Sequence, residues 1–497
     1  MTKAFHRSIF TARLGDLPRP IPRLNLSSAR PHTPQVRWPS YDPTRLQPGI
    51  LHFGCGAFHR AHQNVFTQRA IELEGASASR WGVVGVSFRS RKVRQALAPQ
   101  DLLYTVMERA DDSSRADVVG VLRGLLFAGD QRARIIAMLS DPQIRIVTLT
   151  VTPSGYASEN AASTDPVGLI VDGLATVRDQ RSAPPVLISC DNIPHNGRRL
   201  RDALIQRADQ RSAALGDWIS RNVQCPSSVV DRIVPVPTSA DSAAASGLLG
   251  LQDLAAVATE PFRQWVIEDF DGPRPQWEQA GALFVPDVTP WELSKLNLLN
   301  GTHMAIAFLG MLAGLETVSD VILDPLFRRY AARLMRDEQI PTIPKSDHDL
   351  ASYSDLLLRR WRNRKIVHQL GRIARNGSEK LQARLLASLA SNIATGRPAP
   401  CTMLAIAAWA CCTAGILRFS GTFVDEAAPG LQRLSVTSGG ETSAFVQMLL
   451  SREDIFGREL PGNPRFGQEL ARAIDSLKRF GARGAVSKIV CDAEVHP

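Results

Sequence analysis

A short apolar strand that runs into a glycine turn and then a helix constrains this chain more than any other stretch. Gly49-Ile50-Leu51-His52-Phe53 leads into Gly54-Cys55-Gly56, and a helix is expected from near Phe58 to Glu74. A second apolar strand, Trp81 to Ser87, follows at the distance a βαβ unit needs. Glycines in such a turn let the backbone approach a pyrophosphate, and the helix N-terminus adds N–H donors and a positive dipole. The usual dinucleotide fingerprint has a third small residue where this chain has His59, so the turn alone is an incomplete signal. The second strand also lacks the Asp or Glu that would take the adenosine ribose hydroxyls. It ends in Phe88-Arg89-Ser90-Arg91-Lys92, which suits a 2′-phosphate and equally suits a solvated basic turn.

More strand-like runs follow at Leu103–Met107, Val118–Leu122, Ile144–Thr152 and Val186–Cys190, with helical segments such as Gln131–Leu139 between them. That alternation predicts an α/β fold with a Rossmann-like, doubly wound, mainly parallel sheet. Ligands of such sheets bind at the carboxyl ends of the strands. Asn192 falls just past Val186–Cys190, and Asp231 just past Ser228-Val229-Val230, although turn chemistry accounts for either residue taken singly. Beyond Pro286 helices dominate: Asp324–Arg336, Tyr353–Ala374, Lys380–Ala394, Cys401–Leu417 and Pro464–Arg479. The expected division is 1–285, a dinucleotide-type domain with an irregular Pro-rich lead-in to about residue 48, and 286–497, a mostly α-helical domain closing a cleft against it. Gln339–Leu350 is a candidate mobile segment between helices.

One helix of the second half stands apart. KLNLLNGTHMAIAFLG (295–310) is apolar on nearly every side, the pattern of a segment buried in protein, yet it carries Lys295, Asn300 and His303. At 3.6 residues per turn these three share an arc of roughly 140°. A lysine that snorkels and a histidine bonded within the core would explain each alone. Together they read as the wall of a site, because buried lysine is seldom left unpaired. Lysine is also scarce, 8 residues against 50 arginines, so this one is not background.

Other function classes lose support. The net charge of +10 is spread along the chain without a dense basic run, which favours a small acidic or phosphorylated ligand over nucleic acid. Seven cysteines without a CxxC pair argue against a disulfide framework or zinc ribbon and fit a reducing cytoplasm. His59 and His62 lack a third partner for zinc, so no metal is expected. The longest apolar run, Met403–Leu417, is shorter than the ~20 residues of a membrane span, and the first fifteen residues lack a signal-peptide core. A cytoplasmic location and no membrane partner are the expectation.

GILHFGCGAFHRAHQ (49–63), SCDNIPHNG (189–197), VDRIVP (230–235), EPFRQWVIED (260–269), KLNLLNGTHMAIAFLG (295–310) and EDIFG (453–457) occur in order and at sensible distances. Together they resemble the polyol-specific long-chain dehydrogenase/reductase family, which includes mannitol 2-dehydrogenase, fructuronate reductase and D-arabinitol dehydrogenase. The resemblance implies hydride transfer between NAD or NADP and a sugar alcohol/ketose pair, without a metal. A monomer or weak oligomer is expected. It implies cofactor contacts from Gly54, Gly56, Phe58, His59, Arg60 and Arg89. Lys295 would be the general base, Asn192 and Asn300 the donors to the oxyanion, and His303 and Asp231 substrate-orienting residues, with Lys380 and Arg384 in a substrate-binding segment. Two departures stand out: the acidic pair expected after the second strand is missing, which leaves the choice of NAD or NADP open. A later substrate-contacting arginine is replaced near Ala390-Ser391, which weakens the case for mannitol itself. A fructuronate- or tagaturonate-type sugar-acid reductase, or a catalytically weakened binding homologue, are the alternatives.

Overall fold

The computed structural model describes residues 21–30, 33–111, 113–156, 165–180 and 182–495. Residues 1–20 of the expected lead-in therefore lie outside the described residues. Five strands form a wholly parallel sheet in the spatial order Leu122–Phe127, Gly82–Ser87, Pro48–Phe53, Ile146–Leu149, Val186–Ser189. Numbered along the chain, that is 3-2-1-4-5, the Rossmann order, and the winding reverses between the first and fourth strands. Alternate residues feed two cores. Ile50, Val83, Ile146 and Ile188 pack with Phe66 and Ile71 of the helix Gln63–Glu74. Leu51, Val84, Val147 and Leu187 pack with the helices Pro166–Asp179 and Asn196–Asp209. Burial on both faces explains why these strands read as continuous apolar runs.

Several expected elements are divided in the fold. Val118–Leu122 is not one strand: Ser114–Val119 pairs antiparallel with Tyr104–Arg109, and Leu122–Phe127 joins the parallel sheet. The break falls at Gly120, whose Cβ, if present, would lie 2.8 Å from the Pro43 ring. The helix after the glycine turn starts at Ala57 and breaks at His62, which sits among Phe58, Phe66 and Trp265 and bonds the Gln264 carbonyl at 2.8 Å. Ser228–Asp231 is outside the parallel sheet and pairs antiparallel with Gln264–Glu268. Asp231 therefore closes a separate small sheet.

The last strand is Leu283–Val285, and from Thr289 onward every described element is helical. Tyr353–Ala374 is two helices, Leu350–Trp361 and Leu370–Ala374, because the link is tied to the sheet half. Asn363 donates to the Arg109 carbonyl at 2.7 Å, and the Arg364 amide donates to Asp111 at 2.8 Å. Pro400–Thr413 is buried from Cys401 to its end and ends four residues earlier than expected. No helix among the described residues is long and apolar enough to cross a membrane.

The helix carrying Lys295 is continuous from Thr289 to Leu312 but not α-helical throughout. Lys295–Gly301 is a π-helix, followed by α-helix over Thr302–Leu312. Its i→i+5 bonding sets residues five apart nearly above each other, so Lys295 and Asn300 align more closely than 3.6-fold geometry predicts. Close packing explains the distortion. Two further π-helices, Leu334–Gln339 and Gln382–Leu386, converge on Gly301, where a Cβ would meet the Arg384 carbonyl at 2.6 Å and Gln339 at 2.7 Å.

Glu338, 1% exposed, ties this knot to the helix Pro400–Thr413. It accepts from the Cys401 and Thr402 amides and the Thr402 hydroxyl, each at 2.7 Å. Burial pushes its carboxyl pKa up, against the pull of those donors. Glu338→Ala leaves the helix N-terminus without an acceptor and should cost about 2–3 kcal/mol in urea unfolding followed by circular dichroism.

Candidate active site

At the reversal point of the sheet, the end of the first strand meets the end of the fourth. Gly54 has φ 101°, and a Cβ there would sit 2.1 Å from the Thr150 carbonyl oxygen. Only glycine allows this approach. His52, just before, is buried and pins the region, its ring bonded to Thr148 Oγ1 at 2.8 Å and Thr150 Oγ1 at 2.9 Å. Beyond Gly54 a groove of about 390 Å³ runs between Ser87–Ser90 and Thr150–Thr152. Arg89 lies along it and donates to Thr152 Oγ1 at 3.4 Å. A shaped backbone cradle at a Rossmann switch point suits a dinucleotide.

Gly56 and Phe58 line the adjoining cleft. His59 and Arg60, the other two residues of that motif expected at the cofactor, do not line it. His59 is buried and stacked on His52 at 3.3 Å between ring centres. Arg60 turns the other way, donating to the Ala255 carbonyl and lying 5.4 Å from the Tyr104 ring. Both build the turn from behind.

The main cleft, about 680 Å³, begins at Gly54 and Thr150 and ends among the helices of the second half. Lys295, Asn300 and His303 line one wall, and Asn192 and Asp231 face it from the sheet half. Asn192 is held out by its neighbour: buried Asp191 accepts from the Val151 and Thr152 amides and the Tyr156 hydroxyl at 3.1, 2.8 and 2.6 Å. Lys295 Nζ donates to Asn192 Oδ1 at 2.5 Å. That contact uses the amide oxygen and leaves the NH₂ group without a hydrogen bond among the described residues. Asn300 has no side-chain hydrogen bond among the described residues and is free to take a ligand.

Burial lowers the Lys295 ammonium to about 8, with Arg360 and Arg384 acting in the same sense and Asp231 opposing them. His303 is buried, its Nε2 has no hydrogen-bond partner, and its ring packs on Trp361 at 4.7 Å and edge-on to His368 at 5.0 Å. Burial keeps both rings neutral, pulling His303 well down and His368 to about 4.

Asp231 lines the cleft with both of its oxygens accepting from Arg360, at 2.6 and 3.0 Å. Lys380 and Arg384 do line the cleft. Lys380 donates to the Arg375 carbonyl, and Arg384 has no hydrogen bond or ion pair among the described residues. Burial alone lowers the Arg384 guanidinium to about 10. Ala390 and Ser391, on the helix Ala387–Ala394, do not line the cleft, whereas Arg372 does.

Arg372, His368, Thr150 and Arg360 are the residues that sequence reasoning misses. Arg360 had a signal: Tyr353, Leu357, Arg360 and Trp361 form the buried face of an amphipathic helix, where an arginine needs a partner. Arg372 and His368 had none, since the loop that carries His368 and sets the short helix of Arg372 was read as continuous helix. No group of three or more His, Cys, Asp or Glu among the described residues could hold a metal ion.

Comparison with known proteins agrees with this layout. The model for the mannitol dehydrogenase Rossmann domain matches residues 48–279, and that for the mannitol dehydrogenase C-terminal domain matches 287–478. The chain is 37% identical to the uncharacterized oxidoreductase YeiQ of Escherichia coli (strain K12), over 92% of this chain and 97% of that protein. It is 35% identical to D-mannonate oxidoreductase of the same organism, over 91% and 98%. Pseudomonas fluorescens mannitol 2-dehydrogenase, in a ternary complex with NAD and D-mannitol, superposes with TM-score 0.79 at 34% identity, covering 94% of this chain and 98% of that one.

Gly54→Ala should weaken NAD binding by about tenfold or more, since the left-handed backbone and the contact with Thr150 both oppose a methyl group. Titration of the protein's tryptophan fluorescence with NADH measures it.

Proposed function

The chain belongs to the mannitol dehydrogenase family and is an oxidoreductase acting on CH–OH groups; from that premise we propose that it interconverts a sugar alcohol and its ketose with NAD. The observation that carries the reading is the convergence of Lys295, Asn192, Asn300 and His303 on one cleft that begins at the Gly54 cradle. The structure of a mannitol 2-dehydrogenase with NAD and D-mannitol supports the choice of cofactor and substrate class.

Lys295 as the neutral amine takes the proton from the substrate hydroxyl, and the O–H electrons become the second C–O bond. A bound nicotinamide dinucleotide, which the Gly54 and Gly56 turn would hold, would supply the acceptor for the hydride leaving the carbinol carbon. Asn192 and Asn300 turn amide donors to the oxygen where negative charge develops, worth about 3 kcal/mol each by analogy with oxyanion holes. His303 offers Nε2 to a neighbouring hydroxyl and so fixes which carbon is presented. Burial does what a lysine base requires, bringing its proton affinity close to neutral pH.

A second reading, a sugar acid as substrate, is favoured by the unpaired Arg384 guanidinium beside Lys380 and Arg372. Three cations at one end of a cleft suit a carboxylate. The relative named D-mannonate oxidoreductase supports the same reading.

A screen of polyols, ketoses and hexonates with NAD+ and NADP+, followed by absorbance of the reduced nicotinamide, tests the proposal. Turnover of mannitol or a related polyol is expected; absence of turnover with every pair would leave a binding homologue. Preference for mannonate that disappears in Arg384→Gln would move the assignment to a sugar acid. Arg89→Asp is expected to lower kcat/KM for NADP+ and spare NAD+. Lys295→Ala should reduce alcohol oxidation by about 10²–10⁴-fold. Because the base must be neutral, oxidation should rise with pH through about 8 and ketone reduction should fall over the same range.

A further inference from the structure

Arg360 is buried where the two halves of the chain meet. It comes from the last turn of the helix Leu350–Trp361 and reaches the small sheet of the first half. Nη1 and Nη2 donate to the two oxygens of Asp231 at 2.6 and 3.0 Å. Nε and Nη2 donate to Glu260 at 3.0 and 2.7 Å, and the Phe262 ring lies 3.9 Å from the guanidinium. All three charged residues are buried, none more than 8% exposed. Tyr353 donates to Asp231 as well, at 3.3 Å. A bidentate guanidinium is the most directional grip a carboxylate can receive. Asp231 thus takes three hydrogen bonds from the helical half, while Lys295 donates to Asn192 instead.

We propose that Arg360 is a positioning residue that keeps the Asp231 carboxylate from capturing the Lys295 ammonium, leaving the lysine free to exchange a proton with substrate. This rests on Lys295 being the base. The groups that face Lys295 are Asp231 from the small sheet, Arg360 from the helix Leu350–Trp361, Arg384 from the Gln382–Leu386 turn, Glu292 from its own helix, and the neutral His62 ring. Asp231 and Glu292 favour the ammonium, and the two arginines oppose it. Removing Arg360 deletes one opposing charge and frees a buried carboxylate whose other cationic neighbour is Lys295. A lysine paired with a carboxylate in low-dielectric surroundings holds its proton. Such a site would be assembled and idle at neutral pH. The same helix turn also sets Trp361 against His303, so the side chains on both walls are positioned from one place.

The experiment is the pH dependence of kcat/KM for alcohol oxidation in the full-length protein with NAD+. In Arg360→Met the limb that rises with pH should move upward by about one to two units, at which the lost activity returns. Arg360→Met/Asp231→Asn should bring the limb back to the wild-type position or below, and Arg360→Lys should fall between. Activity lowered equally at every pH, with the limb unmoved, overturns the proposal and leaves Arg360 a structural tie. Should Arg360→Met fail to fold by circular dichroism, Asp231→Asn alone decides: its limb should move down, and an unmoved or raised limb overturns the proposal. Wild-type activity and profile in Lys295→Ala would instead overturn the base assignment, and the Arg360 proposal with it.

Discussion

A lysine, an asparagine and a histidine can share a wall only if the helix that carries them turns at the right rate, and Gly301 is where that rate is set. Three π-helical turns press together there, with the Arg384 carbonyl and the Gln339 amide both too close to tolerate a side chain. The i→i+5 turn is normally disfavoured, so it persists where neighbouring packing holds it. The same contact brings the Arg384 segment to the cleft. Local backbone distortion, the setting of Lys295 and the cationic end of the cleft are therefore one arrangement seen from three sides.

Electrostatics works on that frame with opposing terms. Burial disfavours the Lys295 ammonium, and Asp231 favours it. The balance falls near neutral pH because Arg360 has already engaged Asp231. An isolated buried pair would cost more than it returns; here two carboxylates share one guanidinium, and Arg232 satisfies Glu108 and the Glu260 carbonyl close by. The polar seam between the halves is nearly saturated in hydrogen bonds, whereas His303 Nε2 is left without one. That nitrogen lies on the cleft wall, where a polyhydroxylated ligand could supply its partner.

Much of this was legible in the residues. The parallel sheet followed from apolar runs alternating with helices, because strands buried on both faces need continuous hydrophobic segments. The Gly54 turn was legible because the geometry there excludes every other residue. Lys295, Asn300 and His303 stood out as polar groups in an apolar helix. Other features have causes that only the folded chain shows. His59 and Arg60 belong to the same motif as Gly56 and Phe58 but are buried behind the turn. Asp231 looked like the end of a parallel strand, and only tertiary pairing shows that its strand runs antiparallel in another sheet. The π-turn leaves no mark in hydrophobic spacing, since its cause lies in segments well away along the chain. The loop 362–369 breaks a good helical pattern because Asn363 and Arg364 find better partners across the cleft.

The cleft is also divided unequally. Lys295, Asn300 and His303 come from the knot around Gly301, where a side chain would press on the Arg384 and Gln339 segments. His368 and Arg372, by contrast, sit on a loop and a five-residue helix at the edge of the helical half. An evolving lineage thus has one wall it can hardly edit and one it can rewrite residue by residue. What the outer end of the cleft accepts can therefore change while the Gly301 knot stays as it is.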